Sequence, residues 1–110
     1  MSILYFSSSF RDGDIKKTFE DREISFYDKK SLSRNVNNAD GAVTIDISAL
    51  GDVKALLMSC DKPITVTINT EDILVKDLVF MTLVELTSLT VTCTDVTGAQ
   101  VDVIVWADTL

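Results

Sequence analysis

At 110 residues the chain has room for one domain with one core, because two cores of ordinary size need about twice that length. Apolar residues make up 46% of the chain and proline occupies one position, so the composition favours a folded globule over a disordered tail. The formal net charge is −7, and residues 41–110 carry three Lys against ten Asp or Glu, which argues against binding to nucleic acid phosphates.

Residues 1–40 are predicted to form an N-terminal arm and hairpin segment of the single domain 1–110. Asp12 and Gly13 are a tight-turn signal, since Gly accepts positive φ, and they separate two strand-like pieces. Residues 24–26 are predicted as a third strand-like piece. Residues 31–40 contain few apolar side chains and two adjacent Asn, so we predict a loop there.

From Gly41 onward, apolar and polar residues alternate with a period close to two. The apolar positions are Val43, Ile45 and Ile47 in the first run, Ile64, Val66 and Ile68 in the second, and Leu89, Val91 and Cys93 in the third. Successive side chains of a strand point to opposite faces, so each run predicts a half-buried strand with a largely threonine-rich second face. Residues 52–58 fit either a strand or a single helical turn.

The last run, residues 101–106, is apolar on both sides apart from Asp102, which predicts a central strand covered on both faces or covered by a partner. Turn signals at residues 69–72 and 97–98 separate the runs at distances suited to strands of about six residues. Short strands at this spacing are typical of an antiparallel β-sandwich or a small barrel. We therefore predict an all-β fold with residues 41–110 as the core of a sandwich.

Cys60 and Cys93 lie in separate strand-like runs and keep the apolar register of their neighbours. We interpret them as reduced core residues, because Cys behaves as a small buried hydrophobe. A disulfide between them is the alternative, and it would need facing positions on adjacent strands. Neither has a second Cys or a His nearby, so we predict no zinc site.

The sequence has no histidine, which removes the usual general base and the commonest metal ligand. The tight acidic clusters at residues 12–14 and 71–72 lack the further acids of a calcium-binding loop, so we interpret both as turns. The four glycines form no phosphate-binding loop. We therefore expect no enzymatic activity, no cofactor and no metal.

Several of these strand segments together resemble small β-sandwich virion proteins of tailed bacteriophages. The shared pattern is a strand, a second strand that ends in a polar turn with Asp, a Thr-rich strand, and a late strand that carries Leu-Thr-Val-Thr. In this sequence the pattern lies at residues 43–47, 53–59, 61–68 and 86–92. The resemblance covers about residues 41–107 and leaves residues 1–40 unmatched. Cys93, Thr94 and Asp95 stand where an Asn-rich turn is expected.

The resemblance implies a structural component of the phage particle, with a jelly-roll-like sandwich and no active site. The favoured role is a capsid decoration or cement protein that binds the major capsid protein lattice and bridges subunits. A small tail or baseplate component is the alternative, and a carbohydrate-binding module is the alternative from another class. The partners would be the major capsid protein or another virion protein, with homo-oligomers, of which a trimer is one option.

No nucleic acid and no membrane partner are expected. The apolar run at residues 78–81 is far too short to cross a bilayer. The first residues lack the basic and apolar regions of a secretory signal, so we expect synthesis in the host cytoplasm. The resemblance implies a final location in the virion, on the head surface.

An aromatic N-terminal strand and an apolar terminal strand are a common means by which subunits add a strand to a neighbour's sheet edge. On this basis we predict five interaction residues: Ile3, Tyr5, Phe6, Phe10 and Trp106. The alternative, that these aromatic residues close the core, also remains.

Overall fold

The computed structural model describes residues 1–82 and 85–110, without the side chains of Phe10, Asp12, Ile15, Phe19 and Asp21. The described residues form antiparallel strands and one 3₁₀ turn at Asn38–Asp40. The strands are β1 (Ser2–Asp12), β2 (Ile15–Phe26), β3 (Asp28–Val36), β4 (Val43–Thr44), β5 (Leu50–Cys60), β6 (Ile64–Ile68), β7 (Glu71–Val75), β8 (Leu78–Thr82), β9 (Leu89–Thr92) and β10 (Ala99–Thr109).

Strands β3 to β10 pair in a nested order. β6 pairs with β7, β5 with β8, β4 with β9 and β3 with β10, so the two halves of this segment run antiparallel beside each other. Two further pairs, β10 with β5 and β9 with β6, complete two four-stranded sheets. We call them the β10 sheet (order β3-β10-β5-β8) and the β9 sheet (order β4-β9-β6-β7). The predicted all-β antiparallel fold is confirmed, and the arrangement is consistent with a β-sandwich.

One apolar core lies between the two sheets, and both sheets contribute alternate residues to it. In β6 the Ile and Val side chains are buried while Thr65 and Thr67 are partly exposed, as the alternation predicts. The best buried core side chains of the β10 sheet are Val36, Leu56, Met58, Val103 and Val105, and those of the β9 sheet are Ile64, Val66, Leu89 and Val91. Residues 52–58, which the sequence left open, form part of strand β5.

The turn between β6 and β7 is held by one asparagine. Asn69 adopts the left-handed conformation (φ 59°), which Asn tolerates better than most residues. Its side-chain oxygen accepts a hydrogen bond from the Thr87 amide at 2.7 Å, and the Ser88 hydroxyl donates to its carbonyl at 2.9 Å. The predicted turn is confirmed at residues 69–70, and it also anchors the segment that leads into β9. Glu71 and Asp72, which were also interpreted as turn residues, instead begin β7, because their pairing with β6 starts at Ile68 opposite Glu71.

The prediction of a loop at residues 31–40 was wrong. Residues 31–36 belong to β3, an edge strand that pairs only with β10 and so needs apolar side chains on one face alone. Leu32 and Val36 supply that face, while polar residues occupy the solvent side, as is common in edge strands. Residues 38–40 form the 3₁₀ turn, capped by the side chain of Asn37.

Two other expectations also need correction. Residues 24–26 are the end of β2 rather than a separate strand, because pairing with β1 continues as far as Ser2 opposite Phe26. The first alternating run forms only the two-residue strand β4. Asp46 shortens it, because its carboxylate accepts a hydrogen bond from the Ser48 amide at 2.9 Å and turns the chain towards β5.

Both cysteines are buried and free, which confirms the reduced-core interpretation. Cys60 ends β5 in the β10 sheet, and Cys93 follows β9 in the other sheet. Burial raises the pKa of the Cys60 thiol, so its reactive thiolate form is disfavoured.

A matched pair of leucines tests this core. Leu56→Ala removes a side chain that is 0% exposed and should lower the free energy of unfolding by about 2–5 kcal/mol, because the cavity refills only in part. Leu74→Ala, at a position 64% exposed, should change it by less than about 0.5 kcal/mol. Urea unfolding measures both. Equal effects from the two variants would show that the core is placed incorrectly.

Candidate protein-interaction surface

The N-terminal hairpin, β1 and β2, extends beyond the body of the protein. Its strands pair from Ser2 opposite Phe26 to Asp12 opposite Ile15, and Gly13 (φ 54°) turns the chain at the tip. Every side chain that the structure describes between residues 9 and 20 is exposed. The Cα radius of gyration is 14.9 Å, whereas a compact domain of this length has about 13 Å. The tip half of the hairpin therefore lies free of the sheets.

The base half of the hairpin covers the outer face of the β10 sheet. Trp106 pairs with Ala55 across β10 and β5, and both are buried although neither belongs to the core between the sheets. Strand β2 contacts β5 and β10 on this side. Phe6 of β1 lies against Phe80 of β8, with ring centroids 4.8 Å apart. The prediction that residues 101–106 form a central strand covered on both faces is thus confirmed, and the second cover is the chain's own hairpin.

Cover by the hairpin is incomplete, and an apolar groove of about 650 Å³ remains between β1 and the outer face of the β10 sheet. We call this the hairpin groove. Its main lining residues are Tyr5, Phe6, Leu57, Phe80, Ile104 and Trp106. Leu57 pairs with both Ile104 and Phe80, so these three side chains form one row across the sheet. A groove of this size and composition has the character of a binding site for apolar groups.

Of the predicted interaction residues, the structure brings three together. Tyr5, Phe6 and Trp106 all line the hairpin groove, with Tyr5 63% exposed and Trp106 only 8% exposed. Ile3 is also exposed on β1 but does not line the groove. The side chain of Phe10 lies outside the described residues.

The sequence analysis missed the sheet side of the groove, which is formed by Leu57, Leu78, Phe80 and Ile104. A signal was present. Leu56, Leu57 and Met58 are consecutive apolar residues in β5, and residues 78–81 are apolar without a break. Such runs predict strands that are covered on both faces.

The turn before β10 contains the most strongly perturbed carboxylate. Asp95 Oδ1 accepts hydrogen bonds from the Thr97 hydroxyl at 2.7 Å, the Thr97 amide at 2.8 Å and the Gly98 amide at 3.2 Å. Lys62 Nζ lies 3.4 Å away. The bonds from Thr97 and the Lys62 ammonium lower the pKa of Asp95 to about 2. This network orders the turn and shows no geometry that would activate a reacting group.

A serine–lysine pair and the acidic residues are the candidates for chemistry outside the hairpin groove. Ser59 and Lys62 have the Ser-x-x-Lys spacing of some acyl-transfer enzymes, but the Lys62 ammonium bonds Asp95 and the Thr97 hydroxyl instead of Ser59. Among residues 1–82 and 85–110, no group of three or more His, Cys, Asp or Glu is placed to hold a metal ion.

Comparison with known proteins yields no relative: no family model matches the chain, and no curated protein or solved structure matches it. In the part of the chain that the structure describes, no helix has the length and apolar character needed to span a membrane.

The Asp95 turn predicts a dependence of stability on pH. Because the folded-state pKa of Asp95 (about 2) lies below its ordinary value of 3.8, its contribution is complete above pH 3.8 and is lost as the pH falls through about 2. Asp95→Asn should therefore have a lower melting temperature than the wild type at neutral pH, and the difference should shrink as the pH falls through this range.

Thermal unfolding followed by circular dichroism measures this. Asp52→Asn is the control, because the Asp52 carboxylate is exposed and has no hydrogen bond or ion pair to any residue described. A constant difference between Asp95→Asn and wild type from neutral pH to pH 2 would contradict the assignment.

Proposed function

We propose that this chain is a structural protein of a bacteriophage particle and that it acts by binding other proteins rather than by catalysis. The favoured role is capsid decoration, in which the chain binds the lattice of the major capsid protein and bridges neighbouring subunits. A tail or baseplate component would use the same surfaces and is the alternative within this class.

The observation that carries the proposal is the nested strand order of the body. Eight strands form two four-stranded antiparallel sheets in the orders β3-β10-β5-β8 and β4-β9-β6-β7. These orders support a jelly-roll-like sandwich, an architecture that is common in viral capsid domains and in lectins. Fold likeness alone does not assign a function, so the hairpin has to supply the second argument.

The hairpin supports a role in attachment. Its tip extends from the body, and Ile3 and Tyr5 expose apolar surface on β1. Both residues lie in the base half of the hairpin, beside the sheets, and exposed apolar side chains there are suited to contacts with a large partner. In this proposal the hairpin is the arm that reaches a neighbouring virion subunit, while the rigid body sets the spacing between contacts.

The charge of the body is compatible with this role. Residues 28–110 carry six Lys or Arg and twelve Asp or Glu, while residues 1–27 carry four and five. An acidic body on a particle surface resists non-specific binding to DNA and to other acidic surfaces.

No observation favours the carbohydrate-binding alternative. Sugar binding in such modules needs exposed aromatic rings, and Trp106 is buried beneath the hairpin. Tyr5 and Tyr27 are exposed, but they are the only two tyrosines of the chain.

Mass spectrometry of purified phage particles, from a phage whose genome encodes this chain, tests the proposal. We expect the chain in the particle in many copies, and Tyr5→Ser should reduce its occupancy several-fold. Leu74→Ser is the matched control, because Leu74 is equally exposed (64% against 63%) but lies on the β9 sheet, away from the hairpin. Absence of the wild-type chain from the particle would refute the proposal, and equal occupancy of the two variants would refute the role of the hairpin.

A further inference from the structure

The edge strands of the two sheets differ in how they are protected against pairing with another chain. Natural edge strands are commonly protected by charge or by shortness. β3 carries Lys29, Lys30 and Arg34, β7 carries Glu71 and Asp72, and β4 has only two residues. β8, with the sequence Leu-Val-Phe-Met-Thr, has five residues and no charge. Its edge is therefore the unprotected one.

The free backbone groups of β8 can be identified from its pairing with β5. The Cys60 amide donates to the Asp77 carbonyl at 2.8 Å, so these two residues form a hydrogen-bonded pair. Such pairs alternate along an antiparallel ladder, which directs the groups of Val79 and Met81 towards β5. The N–H and C=O groups of Leu78, Phe80 and Thr82 consequently point to the open side. Within the described residues, β8 is the last strand of its sheet.

We propose that β8 pairs with β8 of a second copy of this chain, antiparallel and about a two-fold axis that passes beside Phe80. In this register Leu78 of one copy lies opposite Thr82 of the other, and Phe80 lies opposite Phe80. All outward N–H and C=O groups of both strands then have partners. The two β10 sheets become one continuous sheet across the dimer.

The absence of charge in β8 favours a second copy as the occupant. About a two-fold axis a strand faces itself, so any charged residue near the centre would lie beside its own like charge. β8 has none, whereas β3 and β7 would each place several like charges at such a contact. Among the edge strands of more than two residues, β8 alone can therefore pair with itself without this repulsion.

The side chains of the outer face support the same arrangement. The Phe80 rings of the two copies would be neighbours, and each already contacts Phe6 of its own hairpin at 4.8 Å. The result is one aromatic cluster across the axis. Leu78, which is 62% exposed, and Tyr5 line the hairpin groove beside this strand and would lose exposed apolar surface. They enlarge the contact towards the area of at least about 1,200 Å² that a stable dimer needs.

This inference gives a specific form to the homo-oligomer that the sequence analysis expects, and it is independent of the virion assignment. A dimer is measured in solution, whereas the virion assignment is measured on particles, so either can fail without the other.

Size-exclusion chromatography with light scattering on the full-length chain tests it. The wild type should have twice the 12.1 kDa mass of one chain. Leu78→Pro removes an outward N–H and leaves the ladder to β5 intact, so the mass in solution should fall twofold, to that of one chain.

Leu74→Pro is the matched control, because Leu74 is similarly exposed in edge strand β7. Ile68 and Glu71 form the hydrogen-bonded pair that closes the β6–β7 turn, and hydrogen-bonded and non-hydrogen-bonded pairs alternate from there. Leu74 is in a non-hydrogen-bonded pair with Thr65, so its N–H also points outward. The control should remain a dimer.

Amide hydrogen exchange of the wild type followed by NMR does not depend on the variants folding. The amides of Leu78, Phe80 and Thr82 should exchange at least tenfold more slowly at concentrations where the dimer forms, while the Leu74 amide should not change. A wild-type monomer at all accessible concentrations, a dimer that Leu78→Pro leaves intact, or fast exchange at these three amides in the dimer would each overturn the proposal.

Discussion

The structure depends on the two-sided burial of strand β10. Its odd-numbered residues enter the core between the sheets, and its even-numbered residues Ile104 and Trp106 are apolar on the other face. A strand with this pattern has to lie in the middle of a sheet and to be covered twice. β3 and β5 pair with β10 on either side, the β9 sheet covers one of its faces, and the hairpin covers the other. The hairpin is therefore part of the packing of the body as well as an extension from it.

The nature of the hairpin cover explains the remaining surface features. A two-stranded hairpin is marginally stable alone and gains stability when it packs on an apolar face. This one packs only with its base, because the tip half extends past the sheets and the side chains described there are exposed. The space left beside the base is the hairpin groove, and the uncharged strand β8 forms its outer wall. The contacts that we propose with other chains lie in this region for that reason.

The sequence predicted which side chains of the body are buried wherever burial follows the alternation within a single strand. Alternation in β6 and β9 indicated which side chains are buried, because one face of each strand packs on the core and the other does not. β3 was missed because an edge strand needs few apolar residues, and Leu32 and Val36 alone do not make a pattern. The nested pairing of strands depends on contacts between segments that are distant in the sequence, and the alternation of apolar and polar residues within one segment does not predict such contacts.

The candidate interaction surface was predictable only on its hairpin side. Tyr5 and Phe6 are visible as aromatic residues in a strand, but Phe80 and Ile104 become partners only when the hairpin folds over the β10 sheet. Trp106 lies in the same region, where it forms the floor of the groove and is only 8% exposed. Long-range packing determined which of these side chains remained accessible.

Fluorescence of the single tryptophan tests the central claim most directly, since Trp106 reports on the hairpin cover alone. In the wild-type protein, emission should be blue-shifted and acrylamide should quench it weakly. Phe6→Ala should shift emission to the red and raise the quenching constant several-fold while the circular dichroism spectrum stays unchanged. Wild-type emission as red-shifted and as easily quenched as that of free tryptophan would contradict the claim that the hairpin covers the outer face of the β10 sheet.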